Sequence, residues 1–92
     1  TIVFFTPLHC NLGAFTTPLS KNNNDLILQD YRDAIHEVCS WFCIPVCDLH
    51  SLSGIVPHIE ANKEKYTTDG LHLNANGYER ISEVMCDFIK GL

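Results

Sequence analysis

DLILQDYRDAIHEVCSWFCIPVCDL, residues 25–49, changes its period near the end, and that change decides the fold. Ile27, Tyr31, Ala34, Ile35, Val38 and Phe42 recur at spacings of three and four, with Asp30, Arg32, Asp33 and Glu37 between them. That is the apolar stripe of an amphipathic helix, starting at about Asp25 with Asn24 or Asp25 placed to cap it. Pro45 has no N–H to donate and its ring clashes with the preceding turn, so the helix stops there. IPVCDL, Ile44 to Leu49, then reads as a short strand.

Working outward, residues 1–5 form a continuous β-branched and aromatic run closed by Thr6-Pro7, the pattern of a strand buried on both faces in a parallel sheet. Residues 8–24, with Pro18 and the Asn22-Asn23-Asn24 run, read as a surface connection. Strand, helix and strand make a βαβ unit with a right-handed crossover. Beyond it, Glu60 to Lys65 alternates charges without an apolar stripe and reads as a solvated helical turn. A last helix is expected from about Ala75, capped by Asn74, with Tyr78, Ile81, Val84, Met85, Phe88, Ile89 and Leu92 on its inner face.

The order β-α-β-loop-α supplies two parallel strands, whereas independent stability normally takes three or more. The sheet is therefore expected to be completed by a second chain or by more of the same domain. Thr1 opens directly inside a strand, with no initiator Met, charged n-region or long apolar h-region. The expectation is a single partial domain over 1–92 with no visible signal peptide.

Composition narrows the function classes. At 46% hydrophobic and 18% charged, the chain is globular, and its apolar runs are too short to span a bilayer. Six Lys and Arg against eleven Asp and Glu leave a formal charge of -5, so no counterion release would favour nucleic acid. Five cysteines (Cys10, Cys39, Cys43, Cys47, Cys86) are an odd number without a C-x-x-C pair, which points away from a disulfide framework or zinc ribbon. They read as small core residues in a reducing, cytoplasmic setting.

The chemistry concentrates in TTDGLHLNANGY, residues 67–78. Asp69 stands three positions before His72, a spacing that lets a carboxylate accept the Nδ1 proton and leave Nε2 free to take a proton from a hydroxyl. Gly70 permits the bend between them. The loop of residues 50–74 leaves the carboxyl end of the second strand, where open α/β sheets gather their sites. An adjacent helix N-terminus disfavours imidazolium while Asp69 favours it. A plain capping or solvent-facing histidine would show the same spacing.

DGLHLNANGY, with strand-helix-strand before it and an amphipathic helix after it, resembles the last conserved block of the SGNH (GDSL-type) hydrolases. In that family the block carries an Asp and a His separated by two residues, the acid and base of a Ser-His-Asp triad. Asp69 and His72 match those positions and Gly77 a nearby glycine, while IVFFTP and IPVCDL resemble the fourth and fifth strands. The resemblance implies a flavodoxin-like three-layer α/β/α fold with a five-stranded parallel sheet, of which this chain holds the last two strands. It implies an ester substrate and no cofactor or metal. The Gly-Asp-Ser nucleophile motif and the oxyanion residues have no counterpart here: Ser20, Ser40, Ser51, Ser53 and Ser82 lack the Gly-Asp context, and Asn11, Asn22 to Asn24 and Asn62 have no claim to the oxyanion role. The chain alone is therefore expected to be inactive.

Two other readings stand beside this one. An open edge at Ile2 to Phe5 is a template for strand addition, which would make a non-catalytic module that forms a homo-oligomer or associates with an N-terminal segment. Asp48, His50, Asp69 and His72 offer zinc-type donors, although Asp48 and His50 alternate along a strand end and should not face one point. His9, His36 and His58 have no partner at a useful spacing, His36 reads as a surface residue beside Arg32, and Trp41 as helix-end packing.

Overall fold

The computed structural model describes residues 1–11 and 26–92. It contains β1 (Phe4–Phe5), α1 (Leu28–Trp41), β2 (Val46–Cys47), α2 (Leu49–Leu52), α3 (Glu60–Tyr66) and α4 (Ala75–Lys90). The strands pair in parallel, Phe4 opposite Val46 and Phe5 opposite Cys47. The Phe4 N–H donates to the Pro45 carbonyl and the Thr6 N–H to the Cys47 carbonyl, each at 3.1 Å. Pro45 is tolerated at the start of this ladder because only its carbonyl is used. The fold is α/β, a two-stranded parallel sheet in a mostly helical chain.

Helix α1 begins later than its apolar stripe suggests. Ile27 is extended at φ -111°, and its N–H donates to the Asp30 carboxylate at 2.8 Å, which also places a negative charge in the first turn. Asn24, Asp25, Pro18, Ser20 and the rest of residues 12–25 lie outside the described residues. At the far end Cys43 takes φ 54°, and the N–H groups of Phe42 and Ile44 return to the Cys39 carbonyl at 3.2 and 3.0 Å, so the helix closes before Pro45.

The second strand is shorter than the stretch Ile44 to Leu49. Asp48 turns out of the ladder and caps α2, its carboxylate accepting the Ser51 N–H at 3.3 Å. A short acid with a Ser three positions on competes well for such a turn, and four residues of α2 are too few to show a period. Helices α3 and α4 fall where expected. The Asn74 side-chain oxygen accepts the Gly77 N–H at 3.0 Å, and α3 buries no residue. A β-carbon at Gly77 would run into the Tyr66 carbonyl and the Leu73 side chain, so the end of α3 and the start of α4 can approach only with glycine there.

The core is Cys47, Leu49, Ile55 and Ile81, with Phe5, Leu8, Tyr66, Leu73, Val84, Met85 and Phe88 packed around it. Burying such aliphatic side chains is worth about 1.5–3 kcal/mol each. Tyr78, Ile89 and Leu92, expected on the inner face of α4, are exposed. β1 is buried on one face only: Phe5 joins the core, whereas Ile2 and Phe4 are exposed. Phe4 lines an open apolar groove of about 360 Å³ with Tyr31, Ile35, Val38, Phe42 and Ile44. Trp41 does not pack at the helix end and is 67% exposed. Two strands are too narrow a sheet to cover α1, and the described chain is a slab of 35 × 33 × 14 Å.

Cys39 and Cys47 are buried, as small core residues should be, but Cys43 and Cys86 are exposed. Burial, reinforced by the charge of Asp48, pushes the Cys47 thiol up from its ordinary range. Among the described residues no helix is long and apolar enough to cross a membrane.

Candidate active site

The Asp69–His72 turn is built by its own hydrogen bonds. Thr67 and Leu73 form an antiparallel bridge, the Thr68 N–H donates to the His72 carbonyl at 2.9 Å, and the Thr67 hydroxyl accepts the Gly70 N–H at 3.0 Å. Gly70, at φ +90°, makes the reversal that an L side chain rarely adopts. The same Thr67 hydroxyl donates to the Lys63 carbonyl at 2.7 Å, and the Asn74 amide donates to the Lys65 carbonyl at 3.0 Å, which fastens the stems of the turn to α3.

Within this frame Asp69 Oδ1 accepts the backbone N–H groups of Leu71 at 2.9 Å and His72 at 2.7 Å. Its Oδ2 lies 2.7 Å from His72 Nδ1. The His72 backbone N–H, then the His72 ring, then the Leu71 N–H hold the Asp69 carboxyl well below the usual carboxylate range. An ionised carboxylate only accepts, so Nδ1 carries the proton and a neutral ring presents its lone pair at Nε2. The His72 side chain is 71% exposed. The arrangement can accept a proton from a hydroxyl and return it to a leaving group, with Asp69 fixing tautomer and orientation.

Three of the described serines are engaged in other bonds. Ser53 is fully buried with its hydroxyl accepting the Ile55 N–H, Ser40 donates to the Glu37 carbonyl, and Ser51 accepts from Arg32. Asn62 is spent on the loop before α3, accepting from the Val56 N–H and donating to the Gly54 carbonyl.

Asp48 and His50 form a separate cluster. Asp48 Oδ1 accepts the Thr6 hydroxyl at 2.9 Å, and Asp48 Oδ2 lies 3.3 Å from His36 Nε2. His36 thus gains a partner from a distant element that no spacing within α1 could reveal. Burial would raise the Asp48 carboxyl, but the hydrogen bonds from Thr6, Ser51 and His36 outweigh it and hold it low.

His50 is 8% exposed, and its ring stacks on His9 with centroids 3.6 Å apart and bonds to the Pro7 carbonyl, while its buried Nδ1 has no partner among the described residues. Burial is the main reason both rings sit below the ordinary histidine range. The neighbouring His50, then His58 and Arg32, depress His9 further, and Arg32 also depresses His50, against the opposing charges of Asp48 and Asp33. Asp48 and His50 are therefore each committed to partners other than Asp69 and His72. Among the described residues no group of three or more His, Cys, Asp or Glu is placed to hold a metal ion.

Sequence reasoning missed Thr6 and Asn11. Thr6 reads as a strand end, yet its hydroxyl donates to Asp48 and accepts the His50 N–H at 3.0 Å. Asn11 reads as a loop residue, yet its N–H donates to the Gly70 carbonyl at 3.0 Å. Both act across more than 40 positions, beyond the reach of local pattern.

No family model and no curated protein matches the chain. Solved structures share its fold. A crystal structure of a protein from Lactobacillus plantarum, a target of the Northeast Structural Genomics consortium, superposes with a TM-score of 0.85 at 23% identity, covering 97% of this chain and 43% of that one. A second crystal structure superposes with a TM-score of 0.84 at 30% identity, covering 98% of this chain and 42% of that one. The chain thus spans less than half the length of either, and what they share with it is the arrangement of its strands and helices.

Proposed function

We propose that this chain carries the acid-base half of a serine ester hydrolase of the SGNH (GDSL) type, as the C-terminal part of a flavodoxin-like α/β/α domain. His72 acts as general base and then general acid, Asp69 orients it, and the nucleophilic serine and oxyanion donors come from sequence outside residues 1–92. The observation that carries this reading is the 2.7 Å contact from His72 Nδ1 to Asp69 Oδ2 with the ring exposed, which leaves Nε2 accessible to a hydroxyl. The DGLHLNANGY resemblance supports it, and so does the open α1 face, which a wider sheet would cover. A base and its orienter without a nucleophile have nothing to activate, so the chain alone is inactive.

The test is hydrolysis of p-nitrophenyl acetate by the longer natural polypeptide that carries these residues. His72→Ala should abolish it, lowering kcat by about 10³-fold or more. Full activity in that variant would end the proposal.

A second reading rests on a different observation. Ile2, Phe4, Trp41 and Phe42 are all exposed, and Phe4 and Phe42 line one apolar groove, which suits a module that associates with another copy through its open sheet. Light scattering on the purified chain decides it: a dimer that Phe4→Asp dissociates supports association, and a monomer at all concentrations removes it.

A further inference from the structure

The bonds inside the 67–74 turn shape the Asp69–His72 pair, and its stems join α3 and α4, with Leu73 packed against the core that includes Cys47 of β2. Asn11 ties the far side of the turn to the segment that follows β1. Asn11, six positions after β1, donates its backbone N–H to the Gly70 carbonyl at 3.0 Å, and Gly70 lies between the two functional side chains. The Asn11 side-chain oxygen fills the space where a β-carbon on Gly70 would stand, so the Asn11 side chain lies directly against the Gly70 backbone. Its amide Nδ2 donates to the Pro57 carbonyl at 2.9 Å. Pro57, with Ile55 and Ser53, is among the most deeply buried residues of the chain.

The turn is therefore tied through Asn11 both to the segment that follows β1 and to a fully buried part of the core. We propose that Asn11 is a positioning residue: it fixes where His72 Nε2 stands relative to the sheet edge, and hence relative to any hydroxyl presented there. This rests on the acid-base reading above.

The variants are Asn11→Ala and, should that protein not fold, Asn11→Ser, each in the longer polypeptide with p-nitrophenyl acetate as substrate. A misplacement of about 1 Å costs on the order of 10²-fold, so kcat should fall about 10- to 100-fold while KM stays within about twofold. Backbone ¹⁵N relaxation supplies the second readout: order parameters at Gly70 and His72 should drop from about 0.85 towards about 0.6, with those of α4 unchanged. Unchanged order parameters and unchanged kcat would overturn the proposal, as would a fall in stability with neither of these moved. Loss of order at Gly70 and His72 in a protein where His72→Ala has no effect on hydrolysis would sink the acid-base reading while leaving the clamp in place.

Discussion

Asp69 can hold His72 because three donors converge on one carboxylate, and two of them are backbone N–H groups that cannot swing away. Asp69→Asn would keep the shape but offer an NH₂ to Nδ1 and favour the wrong tautomer, so the longer polypeptide should lose about 10³- to 10⁴-fold in kcat in steady-state assays. Gly70→Ala should cost about 1–3 kcal/mol, read from the urea midpoint, because φ +90° and the Asn11 side chain both oppose a methyl group there. The Asp–x–x–His spacing, the glycine between and the Asn74 cap were legible because each acts within a few residues. The Asn11 clamp and the His36–Asp48 pair were not, since their partners are set by the sheet crossover rather than by neighbours in sequence.

At the scale of elements, α4 carries its own start signal. Asn74→Ala removes the Gly77 cap and the ties to α3, and should cost about 1 kcal/mol or more, about 4–8 °C in Tm by calorimetry. The segment after β1 is held to α2 by Thr6 and by the His9–His50 stack. Both rings titrate below the ordinary value of about 6.5, so the folded state binds fewer protons than the unfolded one beneath that pH. Stability from this contact is full above about pH 6.5 and is lost as pH falls through the lowered folded values. His50→Phe should flatten that acid limb in urea titrations between about pH 7 and 5, and an unchanged limb would place the acid sensitivity elsewhere. Helices α1 and α4 were readable from 3.6-residue periodicity, whereas α2 was not, because its apolar residues Leu49 and Leu52 had already been absorbed into a strand pattern and a loop.

At the scale of the molecule, the deciding feature among the described residues is a two-stranded sheet that leaves one apolar face of α1 open. Phe42→Lys or Val38→Glu on the open face should cut self-association of the isolated chain without lowering its Tm by more than about 2–4 °C, measured by light scattering and calorimetry, since exposed positions contribute little to folding. The parallel βαβ order was legible from Pro45 and the two apolar runs. The one-sided burial of β1 was not, because a run such as TIVFF is the same whether or not a neighbour covers its second face. The position of Cys47, wholly enclosed beneath the β1–β2 pairing, makes it a built-in clock for separation of the two strands. A thiol reagent that tags Cys43 and Cys86 within seconds would reach Cys47 only through such openings, so its labelling rate in native buffer measures how often the sheet comes apart.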